Sequence, residues 1–376
     1  MKSYKYWEQK FKQNDLSEFS KTPEGLLWLK LRSIERKELL QEFCKDVGVI
    51  YEGTSTIEKL WDMLNSSIVN VALLEKFMRC CQTRENSRIE ETFEQIRTNL
   101  YKMKHFHWGG GFRNSLDKAI VTRYVKTQNI IPYNDLGKIC ETELLEMSRG
   151  YLINSWYNYW SSVLIENLFR RNSKVMPAYG KIKNVDFFVD DFPFDLKVTY
   201  LPKEYTKLIR KKICVSEPLK VLKTYAKKNA IPYGDGEPEQ IQYEISERMA
   251  DSDSESARKI LVDIAEGWKA VVNEAMRDKK ALIKWLYENQ GDMRFGAENR
   301  IFLVLIDMEN PEESWKLKRN VDLIAPKVND WILRFNRNVV DSFVTHFTYN
   351  AKKYTTFADV IFVVKEGRME IEREEC

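Results

Sequence analysis

Asn184-Val-Asp-Phe-Phe-Val-Asp-Asp-Phe-Pro-Phe-Asp-Leu-Lys-Val-Thr199 decides the reading of this chain. Two β-rich runs flank Asp190-Asp191, the natural place for a tight turn. A turn centred there pairs positions whose numbers sum to 381, which sets Asp186 opposite Asp195 and Asn184 opposite Lys197. Side chains alternate along a strand, so Val185, Phe187, Val189, Phe194, Leu196 and Val198 share one face, and all six are apolar. The other face carries Asp186, Asp195 and Lys197. A slip of one residue would bury these charges, so the apolar pattern itself sets where they stand.

Directly opposed side chains on paired strands lie roughly 4.5–5.5 Å apart at Cβ, and like charges so placed repel. A cation between the two acids removes the repulsion. Hard carboxylate oxygens with room for water suit magnesium. Such an ion can acidify a bound water, polarise a phosphate and stabilise a leaving oxygen, while a neighbouring lysine orients the nucleophile or neutralises developing charge. Asp186 and Asp195 are therefore expected as metal ligands and Lys197 as the catalytic ammonium. Glu166, at the edge of the apolar stripe of the preceding helix, is a further candidate for metal binding and catalysis.

Outward from the hairpin, residues 1 to about 150 show helical spacing, as in Ile57, Leu60, Leu64 and Ile68, and predict a mainly helical domain. The stretch His105-Phe-His-Trp-Gly-Gly-Gly-Phe112 interrupts it as a loop, in which His105 and His107 have no acid or cysteine nearby to complete a metal site. Residues 151–376 read as a second domain. Leu152, Trp156, Tyr159, Trp160, Val163, Leu164 and Leu168 predict an amphipathic helix. Strands follow at 174–178, 183–189 and 193–201, then Lys-rich helices to about 290. The continuous apolar run Ile301–Ile306 predicts a strand buried on both faces, and a helix over 315–335 and a strand over 359–364 complete the order α, β, β, β, α, β.

At these residues the sequence resembles the PD-(D/E)XK nuclease superfamily, and type II restriction endonucleases in particular. Asp186 matches the first acid, and Asp195-Leu196-Lys197 matches the second acid, any residue, lysine. Val185 stands where the motif's nominal proline would be. The resemblance covers the second half of the chain. It implies an α/β fold with a restriction-endonuclease-like αβββαβ core, a central mixed sheet flanked by helices, here behind an N-terminal helical domain. It also implies Mg²⁺-dependent hydrolysis of double-stranded DNA, a helix acid at Glu166, and a cognate DNA methyltransferase. Cutting both strands of a duplex is most simply done by two symmetric sites, so a homodimer is expected. A repair or structure-specific nuclease, or a non-catalytic nucleic-acid-binding protein of the same fold, is the alternative.

Composition sets the outer limits. The chain has 376 residues, 43% hydrophobic, enough for a substantial core. The net charge of +4 says little about a polyanionic partner, but its distribution says more: between Arg170 and Lys228 there are fifteen Lys or Arg against six Asp or Glu. Within this block Lys203, Lys207, Arg210 and Lys211 are expected to contact DNA, as are Lys316, Lys318 and Arg319 at a second basic helix start. The six cysteines suit neither a disulfide framework nor zinc-ligand spacing. With no signal-peptide pattern and no apolar run near membrane-spanning length, a cytoplasmic protein without membrane contact is expected.

Overall fold

The structure, a computed structural model, describes residues 2–367 apart from 14–17, 20, 67, 105–115, 117–119, 127–130, 180, 181, 183, 184, 290–298 and 350. The glycine-rich stretch with His105 and His107, and the pairing of Asn184, lie outside the described residues. The fold is α/β: a six-stranded mixed sheet in the order β1-β2-β3-β4-β6-β5, flanked by helices. β1 (Val175–Pro177), β2 (Phe187–Val189) and β3 (Phe192–Tyr200) form an antiparallel meander. β4 (Asn299–Asp307) runs parallel to β3, and β6 (Lys352–Lys365) runs parallel to β4. β5 (Val344–Tyr349) closes the edge antiparallel to β6.

The turn between β2 and β3 follows from its residues. Asp190 and Asp191 both adopt the left-handed backbone region, with φ of 45° and 68°, as a two-residue type I′ hairpin turn demands. Aspartate tolerates that region better than most non-glycine residues. Phe187 pairs with Phe194, Phe188 with Pro193 and Val189 with Phe192, which is the register read from the sequence. The buried Lys30 pins the turn from outside, its Nζ 2.5 Å from the Asp191 carboxylate and 2.6 Å from Glu75.

Three apolar clusters cover the sheet. On one face Phe187, Val189, Phe194, Leu196, Ile301, Leu303 and Leu305 pack against the helices Glu143–Arg170 and Val321–Arg334 and the end of the long helix Ile68–Tyr101. On the other face Phe302, Val304, Ile306, Ala358 and Val360 are covered by helices lying between β3 and β4, notably Lys203–Lys212, Glu255–Arg277 and Lys279–Asn289. The N-terminal helices form a third cluster, rich in Trp7, Trp28, Trp61 and Phe43, which closes over Phe188 and Val185.

Three sequence expectations change. Val185 does not share the face of Phe187: the chain bends at Asp186, before the strand proper, and Val185 joins Phe188 in the N-terminal cluster. The face bearing the acids is therefore not simply solvated, because Phe188 on that same face is fully buried. In the helix Glu143–Arg170 the buried side is Tyr157, Leu164, Ile165, Leu168 and Phe169, while Leu152, Trp156 and Tyr159 are exposed. Finally, residues 311–319 form 3₁₀ turns ahead of the helix Val321–Arg334, in place of one helix over 315–335.

Candidate active site

The paired register of β2 and β3 ends at Phe187 opposite Phe194, and the direct pairing of Asp186 with Asp195 expected from the sequence does not follow from it. The Asp186 N–H donates to the Phe194 carbonyl at 2.8 Å, although Phe194 already faces Phe187, which is the two-against-one pattern of a β-bulge and sets Asp186 one position out of the expected register. Asp195 and Lys197, two residues apart on β3, share one face of the sheet, and the Asp186 carboxylate reaches the backbone of β3 between them. Nearer the turn that face is sealed by the N-terminal cluster over Phe188, and over β4 and β6 it is sealed by the helices following β3.

Each acid has one oxygen firmly held. Asp186 Oδ2 accepts the Leu196 backbone N–H at 2.7 Å. Asp195 Oδ2 accepts from Arg300 Nε at 2.7 Å, and its Oδ1 accepts from Lys197 Nζ at 2.9 Å. Asp195 is only 4% exposed and Arg300 6%; the Lys197 side chain, at 42%, reaches open solvent. Burial, reinforced by the neighbouring Asp195 charge, pushes the Asp186 carboxyl above the ordinary aspartate range.

Glu166 belongs to the same electrostatic neighbourhood. Burial raises its carboxyl above the usual range, Arg170 opposes that shift, and Asp186 adds to it. Its carboxylate pairs with Arg170 at 2.9 Å, and Arg170 also reaches Glu85 of the long helix at 3.4 Å.

Sequence reasoning did not single out Arg300, Arg170 or Glu85. Arg300 had one readable signal: it immediately precedes the apolar run of β4, and side-chain alternation places it with Phe302 and Val304. Only the parallel pairing of β3 with β4, which sets Arg300 beside Asp195, gives that position meaning.

The expected DNA-contacting residues are scattered. Arg210 is buried, donating to the Ser216 carbonyl. Arg319 is buried and ties down the end of the long helix through the carbonyls of Leu100 and Met103, at 3.0 and 2.7 Å. Neither guanidinium is placed to meet a phosphate. Lys203 pairs with Glu239 and Glu312, Lys207 with Glu204, and Lys316 with Glu313. Lys318 donates to Asn158 Oδ1 at 2.8 Å over the Tyr200 ring, and burial lowers its pKa to about 8. Lys211 is exposed.

Comparison with protein-family models, curated proteins and solved structures finds no match.

Among the described residues no group of three or more His, Cys, Asp and Glu is gathered closely enough to hold a metal. Two carboxylates nonetheless suffice for magnesium, which keeps several waters and is commonly held by one or two acids together with substrate phosphate. The donor set fits: Asp186 Oδ1 has no hydrogen bond among the described residues, and Asp195 Oδ1 is engaged only by a solvent-reaching lysine. Among the described residues, no helix is long and apolar enough to cross a membrane.

Proposed function

We propose that this chain is a Mg²⁺-dependent endonuclease acting on double-stranded DNA, built on a restriction-endonuclease-like core. The observation that carries the reading is the meeting of two acids at β3: the Asp186 carboxylate accepts the Leu196 N–H, while the adjacent Asp195 accepts from Lys197. Supporting it is the element order from the helix Glu143–Arg170 through the β1–β3 meander and the intervening helices to β4.

The residues divide the work by their surroundings. Asp186, anchored through Oδ2 on the Leu196 N–H, would help hold the cation. Asp195, fixed by Arg300, contributes Oδ1. Lys197 exchanges its bond to Asp195 for one to the scissile phosphate or the attacking water, where its charge offsets that developing on the phosphoryl oxygens. Bound Mg²⁺ supplies Lewis-acid polarisation and a more acidic water. Glu166, with its raised carboxyl, stands behind Asp186 as a third acid. Two copies acting on the two strands, a cytoplasmic setting and a partner methyltransferase complete the proposal.

Digestion of plasmid DNA with Mg²⁺ tests it. Discrete fragments indicate sequence-specific cutting. Nicking or a smear indicates a repair or structure-specific nuclease with the same site. Intact plasmid after prolonged incubation with either Mg²⁺ or Mn²⁺ would overturn the proposal.

A further inference from the structure

We propose that the site takes one divalent cation per chain, and that Arg300 stands where a second cation would otherwise bind. The inference rests on the reading of Asp186 and Asp195 as metal ligands and specifies how many ions they serve.

Two-metal sites hold their ions about 3.5–4 Å apart, so an acid that serves both must offer oxygens free of other cations. In this chain Asp195 cannot, because one of its oxygens is held by a fixed cation. Asp195 Oδ2 is bonded at 2.7 Å to the Arg300 Nε, in a pair almost wholly withdrawn from solvent. Asp186 Oδ2 is bonded at 2.7 Å to the Leu196 N–H, a backbone group fixed in β3. What remains clear of Arg300 is Asp195 Oδ1 and the Asp186 carboxylate, donors enough for a single ion.

Arg300 is also hard to dislodge. It sits on β4, the register partner of Asp195 in the parallel β3–β4 pair. Asn299, the residue before it, donates from Nδ2 to the Pro193 carbonyl at 2.9 Å and holds the two strands in step. The guanidinium lies 5.2 Å from the Tyr287 ring centroid and 5.7 Å from that of Phe302, a stacked arrangement that favours the cation. Arginine stays protonated at any pH a protein tolerates, so it cannot lose its charge to admit a metal. A second divalent ion on Asp195 Oδ2 would meet this fixed positive charge at contact distance. Lys197, by contrast, is a flexible ammonium with a solvent-reaching side chain and can leave Oδ1 when the single ion arrives.

A buried charged pair is a poor way to gain stability, since apolar residues of similar volume commonly do as well. Its presence beside the acids is explained if the guanidinium provides one of the positive charges the site needs. Arg300 is then a positioning residue for Asp195 and a permanent counter-ion.

The test is Mn²⁺ binding to the full chain without DNA, with free Mn²⁺ followed by electron paramagnetic resonance. The expected stoichiometry is one ion per chain, with affinity at least about tenfold weaker in Asp186→Asn. Arg300→Met, checked for native circular dichroism, is expected to bind its ion at least about tenfold tighter, because a positive charge beside the site is gone. Arg300→Lys keeps that charge and should retain one ion at close to wild-type affinity. Two ions per wild-type chain, or unchanged affinity in a folded Arg300→Met protein, overturns the inference and leaves the nuclease reading standing. No Mn²⁺ bound by the wild-type chain overturns the metal site itself, and the inference with it.

Discussion

Replacing the two acids one at a time by their amides should move stability in opposite directions, although both belong to the same hairpin segment. Asp195→Asn removes a charge that pairs with Arg300, a residue only 6% exposed on β4. Breaking a buried ion pair from one side costs roughly 3–5 kcal/mol. The replacing amide oxygen still accepts from Nε, so the lower end, about 3 kcal/mol, is expected.

Asp186→Asn differs in each respect. Its carboxyl is raised above the ordinary range by burial and by the Asp195 charge, so at neutral pH the native state holds a charge it disfavours. A raised carboxyl lends stability below its unfolded-state pKa and loses it as pH climbs through the folded-state pKa. The neutral amide escapes that loss while still accepting the Leu196 N–H. Asp186→Asn should therefore be more stable than wild type at pH 7, with the gain fading on acidification into the carboxylate range. Urea unfolding of both variants at pH 7, followed by tryptophan fluorescence, measures the difference, expected to be at least about 3 kcal/mol. Equal destabilisation by the two substitutions, or a stable Asp195→Asn beside an unstable Asp186→Asn, would refute the reasoning.

Two further outcomes follow from burial elsewhere. Phe188→Ala, which empties a fully buried position between the hairpin and the N-terminal helices, should destabilise by about 3–5 kcal/mol in the same urea experiment. A change below 1 kcal/mol would mean that the N-terminal cluster does not seal the hairpin. Lys318→Met should stabilise the fold at pH 7 by on the order of 2 kcal/mol, because burial holds the ammonium pKa down at about 8. Since the unfolded lysine keeps its ordinary pKa, the wild-type chain recovers stability as pH rises from about 8 towards the normal lysine value, and thermal melts of the two proteins should converge there.

The hairpin was legible in the sequence because its determinants are local. Two aspartates able to adopt positive φ set the turn, and the alternation of Phe187, Val189, Phe194 and Leu196 admits one register. The strand Ile301–Ile306 was legible for a similar reason, since only burial on both faces explains an unbroken apolar run. What was not legible depends on distant partners. Arg300 acquires its role from a parallel pairing across more than a hundred residues, and Glu85 and Arg170 from the docking of two helices. The buried side of the helix Glu143–Arg170 was misread because Leu152, Trp156 and Tyr159 extend its apolar character around to the solvent side. The strand β5 was passed over, and with it the first half of β6, because Thr345 to Thr356 carries polar residues suited to a sheet edge rather than a continuous apolar signal. The basic segments show a further limit. A count of Lys and Arg cannot reveal that Arg210 and Arg319 hold backbone carbonyls, or that Lys203 lies between two glutamates.

The most direct test of the proposed centre is conversion of supercoiled plasmid by the wild-type chain, Asp186→Asn and Lys197→Ala, each with Mg²⁺ and again with EDTA. The account predicts cleavage only by wild type with Mg²⁺, and at least about a hundredfold loss in both variants, the scale of removing one positioned catalytic group. Cleavage that persists in a folded Asp186→Asn protein, or that survives EDTA, would contradict it.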